Sequence, residues 1–417
     1  MGNDSLSFTI KHIFFIYTNL TLFSQCMDPA TRATTPAPLS DQPRAKPRPH
    51  CARVPMATEV TLRRFDLSDV DAMMAWTSDP EVAAFCRWEP CASTEALLAH
   101  IRDTVLPHQW FRAICLAGDD RPVGAVSLEP TADRCRGELG YVVARAHWGR
   151  GVATAAVRCA LAAVFGEVAG LARVEALVDV DNPASQRVVE KAGFRREGVL
   201  RRHYWHKGRV RDLVMYGFVS GDPFRPSHEG RESMEQEATA RTPERADEVA
   251  LGLFDLADAD ADAMTAWAAD PVLVPPTASM ASGVYFSPSR GALFAFLRGT
   301  VLPHTWVRAV CLGGAIVGAV TVSPTEDRCR AEVGVALARA HQGRGVAAAA
   351  LRRAATAAFG DLEGVERVEA LVDADDAASQ RALEDAGFRR EAVLRSHRAA
   401  GDVVVYSLIS TDDPLHD

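Results

Sequence analysis

A chain of 417 residues is too long for one ordinary hydrophobic core and implies two domains. With 48% apolar and 24% charged residues the composition is that of a globular protein, and a net charge of -8 argues against a nucleic-acid groove as its main business. The nine cysteines form no Cys-x-x-Cys pair and no Cys/His cluster of zinc spacing, so neither a disulfide scaffold nor a metal site is indicated.

Residues 1–58 read as a disordered or targeting N-terminal extension. Phe8 to Phe23 is apolar and aromatic, but Lys11, His12 and Asn19 interrupt it and it is short for a spanning helix, so no membrane partner is expected. Asp4 precedes the first Lys, unlike a secretory leader, and Leu6 breaks the myristoylation pattern. Residues 29–55 are rich in Pro, Ala, Thr and Arg and poor in acids, which suits disorder. An organelle transit peptide and a true start at Met56 are both open readings. A cytoplasmic location is expected otherwise.

From Glu59 the elements come in a regular order. A strand from Val60 to Phe65 precedes a helix carrying Met73, Met74 and Trp76, then a helical run from Thr94 to Thr104. Strands follow at Trp110 to Leu116, Pro122 to Glu129 and Gly137 to Val143. A glycine turn at 148–153 opens a helix through Ala163. A strand from Arg173 to Val178, a helix from Pro183 to Ala192 stopped by Gly193, and a closing hairpin from Val199 to Phe218 complete the set.

This whole order occurs twice. Glu138 to Ala153 recurs as Glu332 to Ala347, and each copy runs into an alanine-rich helix, an Arg-Val-Glu-Ala-Leu-Val-Asp strand and an Ala-Gly-Phe-Arg-Arg segment. The expected organisation is therefore a first domain over 59–222, a charged linker over 223–248 with almost nothing to bury, and a second domain over 249–414. The fold class is mixed α/β (α+β): a mainly antiparallel sheet flanked by helices, with one parallel crossover through the glycine-turn helix. Cys115, Cys135, Cys311 and Cys329 lie in strand-like runs as reduced, buried small hydrophobes.

The turn Trp148, Gly149, Arg150, Gly151, Val152, Ala153 begins a helix, whose first N–H groups are unpaired and carry the positive end of the dipole. Glycines let phosphates approach the backbone closely, and Arg150 adds a full charge. The bland alternative is a tight loop. Its retention at the same place in both copies favours an anion site. A third glycine is missing at Thr154 and no Gly-Lys-Ser/Thr is present, against a dinucleotide fingerprint and a phosphate loop.

The segment resembles the signature of the GNAT superfamily of acyl-CoA-dependent N-acyltransferases, Gln/Arg-x-x-Gly-x-Gly/Ala. The second copy matches at Gln342, Gly345 and Ala347, with Gly343 and Arg344 in the same turn as cofactor-binding candidates; the first has Trp148 at the Gln position, similar to the RimJ/RimL branch. Asn182 to Ser185, Lys191 to Phe194 and Arg201 to Tyr216 are similar to that branch too. The resemblance implies that the backbone from Trp148 to Ala153 grips the diphosphate of acetyl-CoA as co-substrate. The pantetheine arm would lie along Gly140 to Val143, where the strand at Val174 splays away, and an N–H near Val142 would polarise the thioester. It implies direct attack by a primary amine (a protein N-terminus, a lysine or a small amine) with no enzyme nucleophile and no metal. Glu138 is the candidate base, unless it only pairs with Arg134 or Arg136. Val189 and Leu383 stand where many relatives carry a tyrosine acid, so Ser185, positioned by Asn182, becomes the candidate donor to the thiolate, unless it merely starts a helix.

The second copy keeps Ser379 but has Asp376 and Ala377 for Asn182 and Pro183, lacks the Trp88 to Pro90 segment, offering Phe286 to Pro288, and loses Lys207 to Val210. It is expected to be the weaker one. A catalytically silent acyl-CoA-binding or scaffolding protein stays as the alternative. His203 and His206 read as surface residues, and Trp88, His108 and Trp110 as candidates to line an acceptor cleft, with Trp110 and its counterpart Trp306 fitting a core role equally.

Overall fold

The computed structural model describes residues 59–131, 135–223, 248–253, 306–398 and 401–412. The expectations for residues 1–58, for the linker beyond residue 223 and for Phe286 to Pro288 lie outside the described residues, as does Arg134. What is described falls into two compact units. One holds residues 59–196 and 216–223, and the other holds 197–215 with the residues from 248 onward.

In the first unit, β1 (Val60–Arg63), β2 (Phe111–Leu116), β3 (Pro122–Pro130) and β4 (Arg136–Val143) pair antiparallel in sequence order, and β5 (Arg173–Asp179) pairs parallel to β4. The helices are α1 (Val70–Thr77), α2 (Pro80–Ala83), α3 (Thr94–His100), α4 (Val152–Glu167) and α5 (Pro183–Ala192). Met73 and Trp76 of α1 and Leu97 of α3 pack with Ala113, Cys115 and Ala125 of the sheet in one buried cluster. α4 presents alanines and valines to its buried side, including Val152, Ala155, Ala156, Ala160 and Val164. Small side chains let a helix lie close to a sheet, which suits a crossover that must return β5 beside β4.

Capping chemistry sets the helix limits. Asp79 and Ser93 accept from Glu81 N and Ala96 N at the starts of α2 and α3. α5 begins with Asn182 as N-cap and Pro183 in its first turn, and ends on Gly193 at φ +107° with Phe194 N bonded to Val189 O, a left-handed closure that only glycine adopts cheaply. Gly124 is demanded by close approach instead. A Cβ there would stand 2.3 Å from Val142 O on the neighbouring strand, and Gly318 meets Ala336 O at 2.2 Å in the same way.

In the second unit, β8 (Val249–Gly252), β9 (Val307–Leu312), β10 (Ala315–Pro324) and β11 (Arg330–Leu337) repeat the antiparallel series. β12 (Arg367–Asp373) runs parallel to β11, and the hairpin of β13 (Arg389–Arg398) and β14 (Gly401–Ile409) closes it with β14 beside β12. Its helices are α6 (Val346–Asp361) and α7 (Ala377–Asp385). The core joins Val320, Val333 and Leu337 of the sheet to Val346, Ala350 and Ala354 of α6. Residues 197–215, from the closing strands β6 (Arg195–His206) and β7 (Arg209–Val219), group with this unit, where Gly198 lies opposite Ala392. Among the described residues no helix is long and apolar enough to cross a membrane.

Candidate active site

The chain leaves β4 through a single 3-10 turn, Arg145–His147, and enters the glycine turn. Gly149 and Gly151 take φ +72° and +82°, the left-handed region that side chains resist. A Cβ on Gly149 would meet nothing within 4 Å, so the glycine leaves open room beside the helix start. Gly151 is the N-cap of α4, and no side chain caps the first turn. The N–H groups of Val152, Ala153 and Thr154 thus start the helix with its partial positive charge, while Arg150 adds a full one beside them. Gly343, Gly345 and α6 reproduce the arrangement, with φ +70° and +78° and again no side-chain cap.

Trp148 and Gln342 hold the two turns in the same way. Trp148 Nε1 donates to Val143 O at 2.7 Å, and Gln342 Nε2 donates to Leu337 O at 3.1 Å. Ahead of the first turn, Arg145 Nε reaches Asp79 Oδ2 at 2.9 Å and Arg145 Nη1 reaches Glu81 Oε1 at 2.7 Å, tying this loop to the start of α2.

Beside the turn the sheet opens. β4 and β5 pair only at Arg136 with Arg173, Gly137 with Val174, and Glu138 with Glu175, although β4 continues to Val143 and β5 to Asp179. The separation was expected at Val174; it comes one residue later. The buried Arg173 and Glu175 explain the delay, since Glu175 binds both Arg173 Nε at 3.1 Å and Arg136 Nη1 at 3.0 Å and clamps the strands to that point. β11 and β12 also stop, after Glu332 with Glu369.

Asn182 and Ser185 meet at the start of α5. Asn182 Oδ1 accepts from Ser185 N at 3.0 Å, so Asn182 fixes the backbone of Ser185 as an N-cap does. Tyr141 of β4 joins them, a residue the sequence reading missed. Its Oη lies 2.6 Å from Ser185 Oγ, where either hydroxyl can donate, and 3.2 Å from Ser185 O, a second acceptor for the one phenol hydrogen. Burial pushes the Tyr141 phenol up to about 12, partly offset by the Ser185 hydrogen bond, so it stays protonated at neutral pH. The signal available was a polar-for-apolar divergence, since the second copy has Val335 where the first has Tyr141.

Glu138 is not next to this pair. Side chains alternate along a strand, so Glu138 and Val142 share one side of β4 while Tyr141 is on the other. Val142 packs on the cluster formed by α1 and α3, which places Glu138 on that helical side. It stands opposite Glu129 on β3, whose carboxylate is 2.9 Å from His108 Nε2, and His108 Nδ1 accepts from Trp110 N at 3.0 Å. The pairing considered for Glu138 with Arg136 is not what Arg136 Nη1 makes, since that nitrogen is on Glu175.

Trp110 takes the core role of its two: it is buried, and its Nε1 donates to Glu167 Oε2 at the end of α4 at 2.9 Å, as Trp306 does to Asp361 at 2.8 Å. Two other readings change. His203 and His206 are both buried, not surface residues, with His203 Nε2 at 3.2 Å from Arg330 within the second unit. Of the four strand cysteines, Cys115 and Cys329 are buried but Cys135 and Cys311 only half-buried. Trp88 is half-buried in the loop between α2 and α3.

A helix start with no side-chain cap, room at Gly149 and strands that stop pairing beside it suit a phosphate group with an extended arm. The chain is 30% identical over 165 residues to the uncharacterized N-acetyltransferase p20 of Bacillus licheniformis, covering 38% of this chain and 92% of that one. It is 30% identical over 163 residues to the uncharacterized N-acetyltransferase YoaA of Bacillus subtilis (strain 168), again 38% and 92%. A solved spermidine N-acetyltransferase of Vibrio cholerae in complex with CoA and spermine is similar at 22% identity and a TM-score of 0.36, covering 39% of this chain and 97% of its own. The model of the acetyltransferase (GNAT) domain matches residues 59–195 and again 251–389, and the chain belongs to this N-acetyltransferase family with two such domains in tandem.

Proposed function

We propose that the first domain transfers the acetyl group of acetyl-CoA to a primary amine by direct attack on the thioester. The observation that carries this reading is the start of α4 at Gly151, with no side-chain cap, beside strands that part after Glu138 and Glu175. The turn from Trp148 to Ala153 would hold the diphosphate with its amides, with Arg150 as counter-charge, and Val142 and Val143 lie along the edge of β4 that the arm would follow. An N–H of that edge would polarise the thioester carbonyl and stabilise the oxyanion.

The amine must lose a proton, from a pKa of roughly 8 for an α-amino group or about 10 for a lysine, before it attacks. Glu138 serves as base from the helical side of β4. The nitrogen then bonds to the carbonyl carbon and gives up its second proton to water, the carbon–sulfur bond breaks and its electron pair leaves on the thiolate. Ser185, held by Asn182, donates a hydrogen bond to that sulfur from the opposite side of the strand.

The second domain is the weaker of the two in this reading. Its turn residues Gln342, Gly343, Arg344, Gly345 and Ala347 are intact, which supports CoA binding, but Asp376 caps α7 where Asn182 caps α5. A carboxylate there disfavours an anionic ligand. Release of CoA thiol from acetyl-CoA, measured with peptide and small-amine acceptors, tests the proposal on the full chain. Gly151→Asp should abolish release and Gly345→Asp should leave most of it. Dominant loss from the Gly345 change would reverse the assignment, and no release with any acceptor would favour a silent acyl-CoA-binding protein.

A further inference from the structure

Ser185 is held from two directions. Asn182 Oδ1 takes its N–H at 3.0 Å, and the Tyr141 Oη stands 2.6 Å from its Oγ. Tyr141 is in the part of β4 that has already left β5, so its ring bridges from the strand to the start of α5. The phenol stays protonated through the neutral range. A serine hydroxyl has one hydrogen and two acceptor positions. The one Tyr141 hydrogen has two acceptors in reach, Ser185 O at 3.2 Å and Ser185 Oγ at 2.6 Å; given to Oγ, it leaves the serine hydrogen for another acceptor, and a donor that itself accepts a hydrogen bond is polarised and strengthened.

The second domain shows the same serine without this partner. Asp376 Oδ1 takes Ser379 N at 3.0 Å, so the backbone clamp is retained, but Val335 occupies the place of Tyr141 and offers no hydroxyl. Loss of the phenol with retention of the serine separates two functions of one cluster, shaping the helix start and aiming the hydroxyl.

We infer that Tyr141 is a positioning residue that aims the Ser185 hydroxyl at the departing CoA sulfur, and that Val335 leaves Ser379 without this function. The inference rests on the acyl-transfer reading of the first domain. As the carbon–sulfur bond breaks, its electron pair moves to sulfur, and Ser185 donates its hydrogen bond there while accepting one from Tyr141. No proton leaves either hydroxyl; the thiolate takes its proton from water after release.

The test is a double-mutant cycle on the full chain, with CoA thiol release measured against acetyl-CoA concentration. Tyr141→Phe should lower kcat roughly 10-fold, in the range of a transition-state hydrogen bond, with KM for acetyl-CoA changed less than about 2-fold. Ser185→Ala should lower kcat at least as much, and the double variant should be no slower than Ser185→Ala, because the phenol then has nothing to aim. Thermal midpoints report whether each variant folds; should Tyr141→Phe fold poorly, Tyr141→His, which keeps a donor, must recover kcat over Tyr141→Leu. Unchanged kcat in Tyr141→Phe, or full additivity in the double variant, overturns the inference while wild-type activity leaves the acyl-transfer reading standing. Absence of thiol release by the wild-type chain sinks that reading and the inference with it.

Discussion

Trp148 and Gln342 make one contact with unlike side chains: each donates a side-chain N–H to the carbonyl of the last residue of the preceding strand, Val143 or Leu337. The two turns then superpose in conformation, with both glycine pairs left-handed and both helices beginning one residue later. An indole reaches as far as a primary amide from the same backbone position, and only the donor is required. Trp148→Gln is therefore expected to keep CoA affinity within about 3-fold, whereas Trp148→Ala, which leaves the turn without its tether, should weaken it roughly 10-fold, the worth of one well-placed hydrogen bond. Calorimetric titration of each variant with CoA decides this. Equal weakening by both would mean that the exposed indole face, not its N–H, is what matters.

Gly124 lies where β3 passes under Val142, with no room for a Cβ against a backbone oxygen. Gly124→Ala should destabilise the first unit by about 1–3 kcal/mol, because the obstacle is main chain and cannot rotate away. Chemical denaturation of the variant measures it. A shift within about 0.5 kcal/mol would show that β3 can yield there without cost.

Asn182→Asp copies into the first domain what the second has at Asp376. The helix cap should survive, since Asp376 takes Ser379 N at the same 3.0 Å as Asn182 takes Ser185 N. Stability should hold, while CoA affinity falls several-fold at low salt and recovers in part at about 0.5 M salt, as charge repulsion is screened. A salt-independent loss would point to altered shape instead of charge.

His100, buried at the end of α3, has its pKa lowered by burial from 6.5 to about 4, with Asp103 opposing weakly. Between those values the unfolded chain binds a proton that the folded chain refuses. Stability from this group is therefore complete above pH 6.5 and falls as the pH drops toward 4, by roughly 3 kcal/mol in all. Denaturation midpoints between pH 7 and 4 should fall more steeply for the wild type than for His100→Leu. Parallel slopes would place the acid sensitivity elsewhere.

The elements were legible in the sequence to within a few residues where period and punctuation agreed. α5 runs over Pro183–Ala192 as read, because a proline opens it and Gly193 ends it. β4 gained only Arg136, while α4 continued four residues past Ala163, through Gly166, with Val164 on its buried side. Harder to see was anything set by distant partners. Tyr141 meets Ser185 across 44 residues, and neither neighbourhood announces the other. The burial of His203 depends on Arg330, and the grouping of residues 197–215 with the second unit depends on which strand edge they meet; local patterning encodes neither. The Arg136, Arg173 and Glu175 cluster was visible as charges in strands, but its effect on where the strands part was not.

Strand margins on the outside of a sheet invite foreign chains to join them. β4 carries such a margin too, past Glu138, but recessed between two strands of its own sheet. Flanked by β3 on one side and by β5 up to Glu175 on the other, that stretch lies inside the sheet and not at its outer edge, where another chain's strand would add.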